Sequence, residues 1–192
     1  MGRTLRRLPG TDKIFIPGAT IRHLIKLVTD PKHESTTQLN RRKAIFIMIG
    51  TNNLGNGNTP LFIERQTEIL LRQIRAKTQA TILLTSILPR PRDGPIPTKA
   101  LIDTNRSLKI LTERIPGTKY FRTDKAYVYK GRIQLDLFQK YGRAGHPDLL
   151  HMTWKGSSKL SNMIRQRSIH EMGRQQTGTR KMTSTKLNKS QI

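Results

Sequence analysis

The chain has 192 residues, 36 lysines and arginines against 12 aspartates and glutamates, a net charge of +24 and no cysteine. That length suits one domain, typically about 100–200 residues, and the missing cysteine excludes disulfides, thiolate zinc sites and a thiol nucleophile. No apolar run approaches the roughly 20 residues that span a bilayer. The basic N-terminus, MGRTLRRLPGTDK, has no apolar segment behind it, so an intracellular location, cytoplasmic or nuclear, is expected.

In chain order, KIFIPGA (Lys13–Ala19) reads as a short buried strand stopped by Pro17-Gly18. Ile21, Leu24, Ile25 and Val28 then fall at i, i+3, i+4 and i+7, one face of a helix, with Thr20 placed to cap it. A polar loop leads to AIFIMIGTNNLG (Ala44–Gly55), an apolar strand that ends in two adjacent amides and no charge. Thr59-Pro60 opens a second helix, cap followed by proline in the first turn; its stripe includes Ile63, Leu70 and Ile74. TILLTSIL (Thr81–Leu88) is a third strand, and the proline-rich PRPRDGPIP after it suits neither helix nor central strand.

Thr98 begins a third helix carrying Leu101, Leu108, Leu111 and Ile115, stopped by Pro116-Gly117, and TKYFRTD gives a fourth strand. An irregular stretch from Lys125 to Gly145 precedes HPDLLHMTWKG, and a last helix is expected from about Trp154 to Arg167. The remainder shows no periodicity, which predicts one domain over residues 1–168 and a disordered basic tail over 169–192. Strands alternating with helices imply a three-layer α/β/α fold with a flavodoxin-like parallel sheet, whose ligands sit at the carboxyl ends of the strands.

Asp148 stands three residues before His151. At that spacing the carboxylate can accept a hydrogen bond from one ring nitrogen, fixing the tautomer and leaving the other nitrogen as a general base. Gly18 precedes a helix, where backbone N–H groups are unpaired and the dipole is positive, and Asn52 offers an uncharged amide. Those are the donors that a developing oxyanion needs. Singly, each has a plainer reading: a local Asp–His turn, ordinary backbone geometry, an Asn in a turn. Ser86 reads as a small residue packed at a strand end, Asn105 as a buried hydrogen-bonding residue, Asn53 as a turn residue and Trp154 as packing behind the site.

Taken together and in this order, these blocks resemble the SGNH (GDSL-like) hydrolase superfamily. PGAT at Pro17–Thr20 is similar to its second block, GTNN at Gly50–Asn53 to its third, with Asn53 where an Asp is usual, and DLLHMTWKG at Asp148–Gly156 to its last. PGATIRHL, GTNNL and LPRP look nearest to the intracellular, retroelement-associated members. The resemblance implies ester hydrolysis with His151 as base, Asp148 as its orienting acid, and Gly18 and Asn52 as oxyanion donors. It implies a small ester as substrate and no cofactor or metal.

The family's first block, a strand followed by Gly-Asp-Ser with the serine nucleophile, is not found. GRTLRRL puts Gly2, Arg3 and Thr4 in its place, so Thr4 holds the nucleophile position. A threonine beside an arginine is a poor replacement, since loss of such a serine costs on the order of 10⁶-fold in turnover. The expectation is an N-terminally truncated domain without its first strand, inactive or weakly active. A rival reading makes the same scaffold a pseudoenzyme module that binds RNA or DNA through its basic surface, although only 5% of residues are aromatic and able to stack bases.

Overall fold

The computed structural model describes residues 11–33, 38–142 and 145–187, with 172–187 as backbone only. Its elements in chain order are α1 (Ile21–Thr29), β1 (Ala44–Ile47), α2 (Thr51–Gly55), α3 (Pro60–Arg75), β2 (Thr81–Thr85), α4 (Lys99–Arg114), β3 (Thr118–Phe121), β4 (Val128–Tyr129), β5 (Arg132–Ile133) and α5 (Trp154–Leu187). β1, β2 and β3 form a three-stranded parallel sheet in that order, with Ala44 opposite Thr81 and Ile82 opposite Thr118.

Strand alternation sorts the side chains into two faces. Ile45, Ile47, Ile82, Leu84 and Tyr120 face a layer made by α1, α3 and α4, whose stripes supply Ile21, Val28, Ile63, Leu70, Leu101 and Leu108. On the other face Phe46 and Phe121 meet edge to face at 6.1 Å between ring centres, and the Arg167 guanidinium of α5 lies 5.9 Å from the Phe121 ring. A second apolar cluster on that side joins Leu88, Tyr127, Leu137, Phe138, Met152 and Leu160. The result is the three-layer α/β/α arrangement expected from the alternation of elements.

Helix starts follow the capping residues. Thr59 Oγ1 accepts from Phe62 N at 3.2 Å with Pro60 in the first turn, and Thr98 Oγ1 accepts from Leu101 N at 3.2 Å. Glycine at position 50 opens α2 with φ +107°, a backbone state that side chains rarely adopt.

Several expectations need correction. Lys13–Ile16 is not a strand: it joins no sheet, and Ile14 is 56% exposed. Near its ends the segment is tied by an ion pair from Asp12 to Arg42 just before β1 and by Asn52 just after β1, which holds Ala19. An extended segment needs a neighbouring strand to satisfy its backbone, and none of the described strands pairs with it. The Lys125–Gly145 stretch contains a β4–β5 hairpin, turned by Lys130 and Gly131 with φ of +46° and +77°.

The last helix does not stop near Arg167 but continues to Leu187, through residues expected to be a disordered tail. One anchor lies beyond the expected end: Glu171, only 3% exposed, accepts from Lys119 Nζ of β3 at 2.5 Å and pairs with Arg167 at 2.9 Å. Burial opposes ionisation of Glu171, but the Lys119 ammonium and its other cationic neighbours outweigh it and hold the carboxyl below its ordinary range. Among the described residues no helix is long and apolar enough to cross a membrane.

Candidate active site

Asp148 and His151 are brought together as their spacing suggests. His151 Nδ1 lies 2.9 and 2.8 Å from the two carboxylate oxygens of Asp148. The same carboxylate accepts from the backbone N–H groups of Leu150 and His151, each at 3.1 Å. Closing so tight a turn puts Leu149 at φ +48°. Burial raises the Asp148 carboxyl, yet the N–H of His151, its imidazole and the N–H of Leu150 together lower it below the ordinary carboxylate value. An ionised carboxylate can only accept, so Nδ1 carries a proton, and in the neutral form of the ring the lone pair is on Nε2. Asp148 is 9% exposed and His151 55%, which leaves Nε2 open to a ligand.

The loop around the dyad is laced to the segment before it. Gln139 N donates to His151 O and Leu149 N to Gln139 O, both at 2.8 Å, while Asp148 N donates to Lys140 O at 3.0 Å. Below it, α5 starts against Leu137. Tyr127, fully buried, donates its hydroxyl proton to Gly156 O at 2.7 Å, and a Cβ on Gly156 would run into the Leu137 carbonyl oxygen. That close approach explains the glycine downstream of the histidine.

Gly18 sits in a turn at φ +68°, exposed, and its N–H has no partner among the described residues. Asn52, at the start of α2, donates Nδ2 to Ala19 O at 2.8 Å, which uses one amide hydrogen and leaves the second. Asn53 is more than a turn residue. At 2% exposure its Oδ1 accepts from Ile21 N at 3.1 Å, capping α1 from 32 residues away, and its Nδ2 donates to Asn58 at 3.0 Å. The two adjacent amides therefore divide the labour of one loop: Asn53 seats the helix, and Asn52 holds the carbonyl next to Gly18.

The short turn Pro91–Asp93 links this loop to the dyad. Arg90, its side chain only 10% exposed, donates Nη1 to Thr51 O at 3.1 Å, and Arg92 N donates to Leu149 O at 3.2 Å. This turn and the arginine before it thus touch the helix of Asn52 on one side and the loop between Asp148 and His151 on the other. Arg90 had no reading in the sequence beyond its place in LPRP, because its partners lie far along the chain.

Other residues resolve into structural roles. Ser86, fully buried, accepts from Thr123 N and Asp124 N at 2.9 and 2.7 Å, and Asn105 bonds both backbone groups of Ile87, at 2.8 and 2.9 Å. Trp154 does not pack behind the site: it opens α5 on the surface, 61% exposed, because its face of the first turn points away from the Leu137 contact. Thr4, with Gly2 and Arg3, lies outside the described residues. Among the described residues no hydroxyl bonds His151, and no three His, Asp or Glu side chains gather as a metal site.

Solved structures share this α/β/α fold. The chain is similar to a Streptococcus pneumonia protein assigned as a platelet activating factor, with TM-score 0.60 and 17% identity over 78% of this chain and 68% of that one. It is also similar to a carbohydrate esterase family 3 protein from Talaromyces cellulolyticus, with TM-score 0.57 and 15% identity over 85% and 76% of the two chains. A third likeness is to the salicylyl-acyltransferase SsfX3 from a tetracycline biosynthetic pathway, with TM-score 0.51 and 15% identity over 80% of this chain and 42% of that one. No family model matches the sequence, and no curated protein matches it. At these identities the likeness establishes the fold.

Proposed function

We propose that this chain is an ester-hydrolase domain of the SGNH type, weakly active as it stands. His151 acts as the general base through Nε2, Asp148 orients it and balances the charge it gains, and Gly18 N–H with the second amide hydrogen of Asn52 receives the oxyanion. The observation that carries this reading is the Asp148–His151 pair, in which the carboxylate holds Nδ1 at 2.8 Å and leaves Nε2 free. The hydrogen bonds running from Leu149 through the Pro91–Asp93 turn to Thr51 support placing Asn52 in the same site. The reaction further needs a hydroxyl on Nε2, and Thr4 is the residue assigned to that position. A small acyl ester is the substrate class, with no cofactor.

The test is hydrolysis of p-nitrophenyl acetate by the purified chain beside two variants. We expect slow turnover, reduced to the buffer rate in His151→Ala and lowered by about a hundredfold in Asn52→Ala, the cost of losing one oxyanion donor. Equal rates in the chain and in His151→Ala would overturn the reading.

A further inference from the structure

A concavity lies between α4 and the segments that follow β2 and β3, and neither Asp148 nor His151 lines it. It encloses about 650 Å³, lined on one wall by Arg106 and Lys109 of α4 and on the other by Arg122 and Lys125. That volume falls within the range of small-molecule sites, about 300–1,000 Å³. Its position at the carboxyl ends of β2 and β3 is where parallel sheets collect ligands.

The charge here is poorly matched by acids. Lys109 reaches Glu113 at 3.5 Å and Arg122 Nε reaches Asp124 at 3.4 Å, whereas Arg106 and Lys125 form no ion pair among the described residues. Arg106 and Lys109 stand three residues apart and so share a face of α4. Each wall thus presents one guanidinium, whose planar fork suits phosphate oxygens, and one ammonium, a mobile point charge. Leu101, Ile102 and Val128 supply apolar surface to the same cleft, and Asp124, the partner of Arg122, is the one acid among its lining residues. Ile102 is 49% exposed there, an apolar residue that gains nothing from water.

We propose that this cleft binds organic phosphates, with two or more phosphate charges held between Arg106 and Arg122 and the organic group resting on Leu101, Ile102 and Val128. No dyad residue lines the cleft, and the proposal is independent of the esterase reading. The same chemistry is offered by a free nucleotide and by a nucleotide of a single strand, and the two sources separate by experiment.

The experiment uses the full chain at low salt, with ATP followed by titration calorimetry and a fluorescein-labelled oligouridylate followed by anisotropy. Arg106→Gln/Arg122→Gln removes two cleft charges, and Lys26→Gln/Arg65→Gln removes two exposed charges from α1 and α3 as a match for net charge. The cleft pair is expected to weaken binding by about tenfold or more, as for lost hydrogen bonds to charged groups, and the matched pair by far less. Loss for ATP alone assigns the free nucleotide; loss for the oligouridylate assigns the strand, with a salt slope smaller by about 1.4 for two lost phosphate contacts. Equal weakening by both pairs, or no binding of either probe, overturns the proposal. Arg106→Gln alone breaks no ion pair, so it repeats the test if the double variant unfolds.

Discussion

The loop that carries Asp148 and His151 is held by backbone bonds, from Gln139 N to His151 O and from Asp148 N to Lys140 O close by in the chain, and from Arg92 N to Leu149 O further away. The loop that carries Gly18 has local bonds from Ala19 N to Ile16 O and from Thr20 N to His23, and is joined to the β1–α2 junction by side chains more than 30 residues distant: Asn52 on Ala19 O and Asn53 on Ile21 N. Backbone bonds survive most substitutions, whereas a loop fastened by two amides fails with either of them. The loop of Asp148 and His151 is therefore the robust one, and the Gly18 loop depends on a correctly assembled β1–α2 junction. The contrast extends upstream, where residues 13–16 join no sheet while the dyad loop forms isolated bridges at Phe138–Met152 and Tyr141–Pro147.

Breaking each half separately sharpens this comparison. The largest effect on stability is expected from Gly156→Ala, which forces the start of α5 away from the Leu137 carbonyl beneath the dyad loop. Overpacking of that kind costs about 2–3 kcal/mol, read as a lower denaturant midpoint, with the Asp148–His151 contact loosened as well. A smaller loss, about 1–2 kcal/mol, is expected for Asn53→Ala, which removes the cap on α1. Its effect on amide exchange should be concentrated at residues 18–24 and leave 148–152 unchanged. An equal disturbance of both loops would erase the distinction between them.

The smallest effect concerns acid. Asp148 and Glu171 both have carboxyls below their ordinary values, so the folded chain binds these protons less readily than the unfolded one. Their contribution to stability is complete above the unfolded pKa of about 4 and is lost as pH falls through the lower folded values. The denaturant midpoint should accordingly fall on going from pH 6 to pH 3, and Glu171→Gln should fall less steeply than the parent chain. An unchanged slope would remove Glu171 from the account of the β3–α5 contact.

How much of this was visible in the sequence depends on the range of the interaction. Thr59-Pro60 and Thr98 mark their helices because a cap acts within three residues, and Asp148–His151 is legible because its partners are three apart. β1 and β2 were legible because a buried parallel strand reads as a short apolar run. Lys13–Ile16 reads the same way, but whether such a run becomes a strand is decided by its neighbour in the sheet. Asn53 and Arg90 escaped for a related reason: one caps a helix 32 residues away and the other bonds a carbonyl 39 residues away. The length of α5 was hidden because its anchor, Glu171, is a charged residue and leaves no apolar stripe to count.

The measurement that tests the central claim most directly is the ring nitrogen spectrum of His151, recorded on ¹⁵N-labelled chain at neutral pH and assigned by its absence in His151→Ala. The account predicts that the neutral form of the ring is protonated on Nδ1, with a bare Nε2, and switches toward protonated Nε2 in Asp148→Asn. Protonation on Nε2 in the parent chain, the form that free imidazole side chains prefer, would contradict it: the lone pair would then face Asp148, and His151 would have no base to offer an incoming nucleophile.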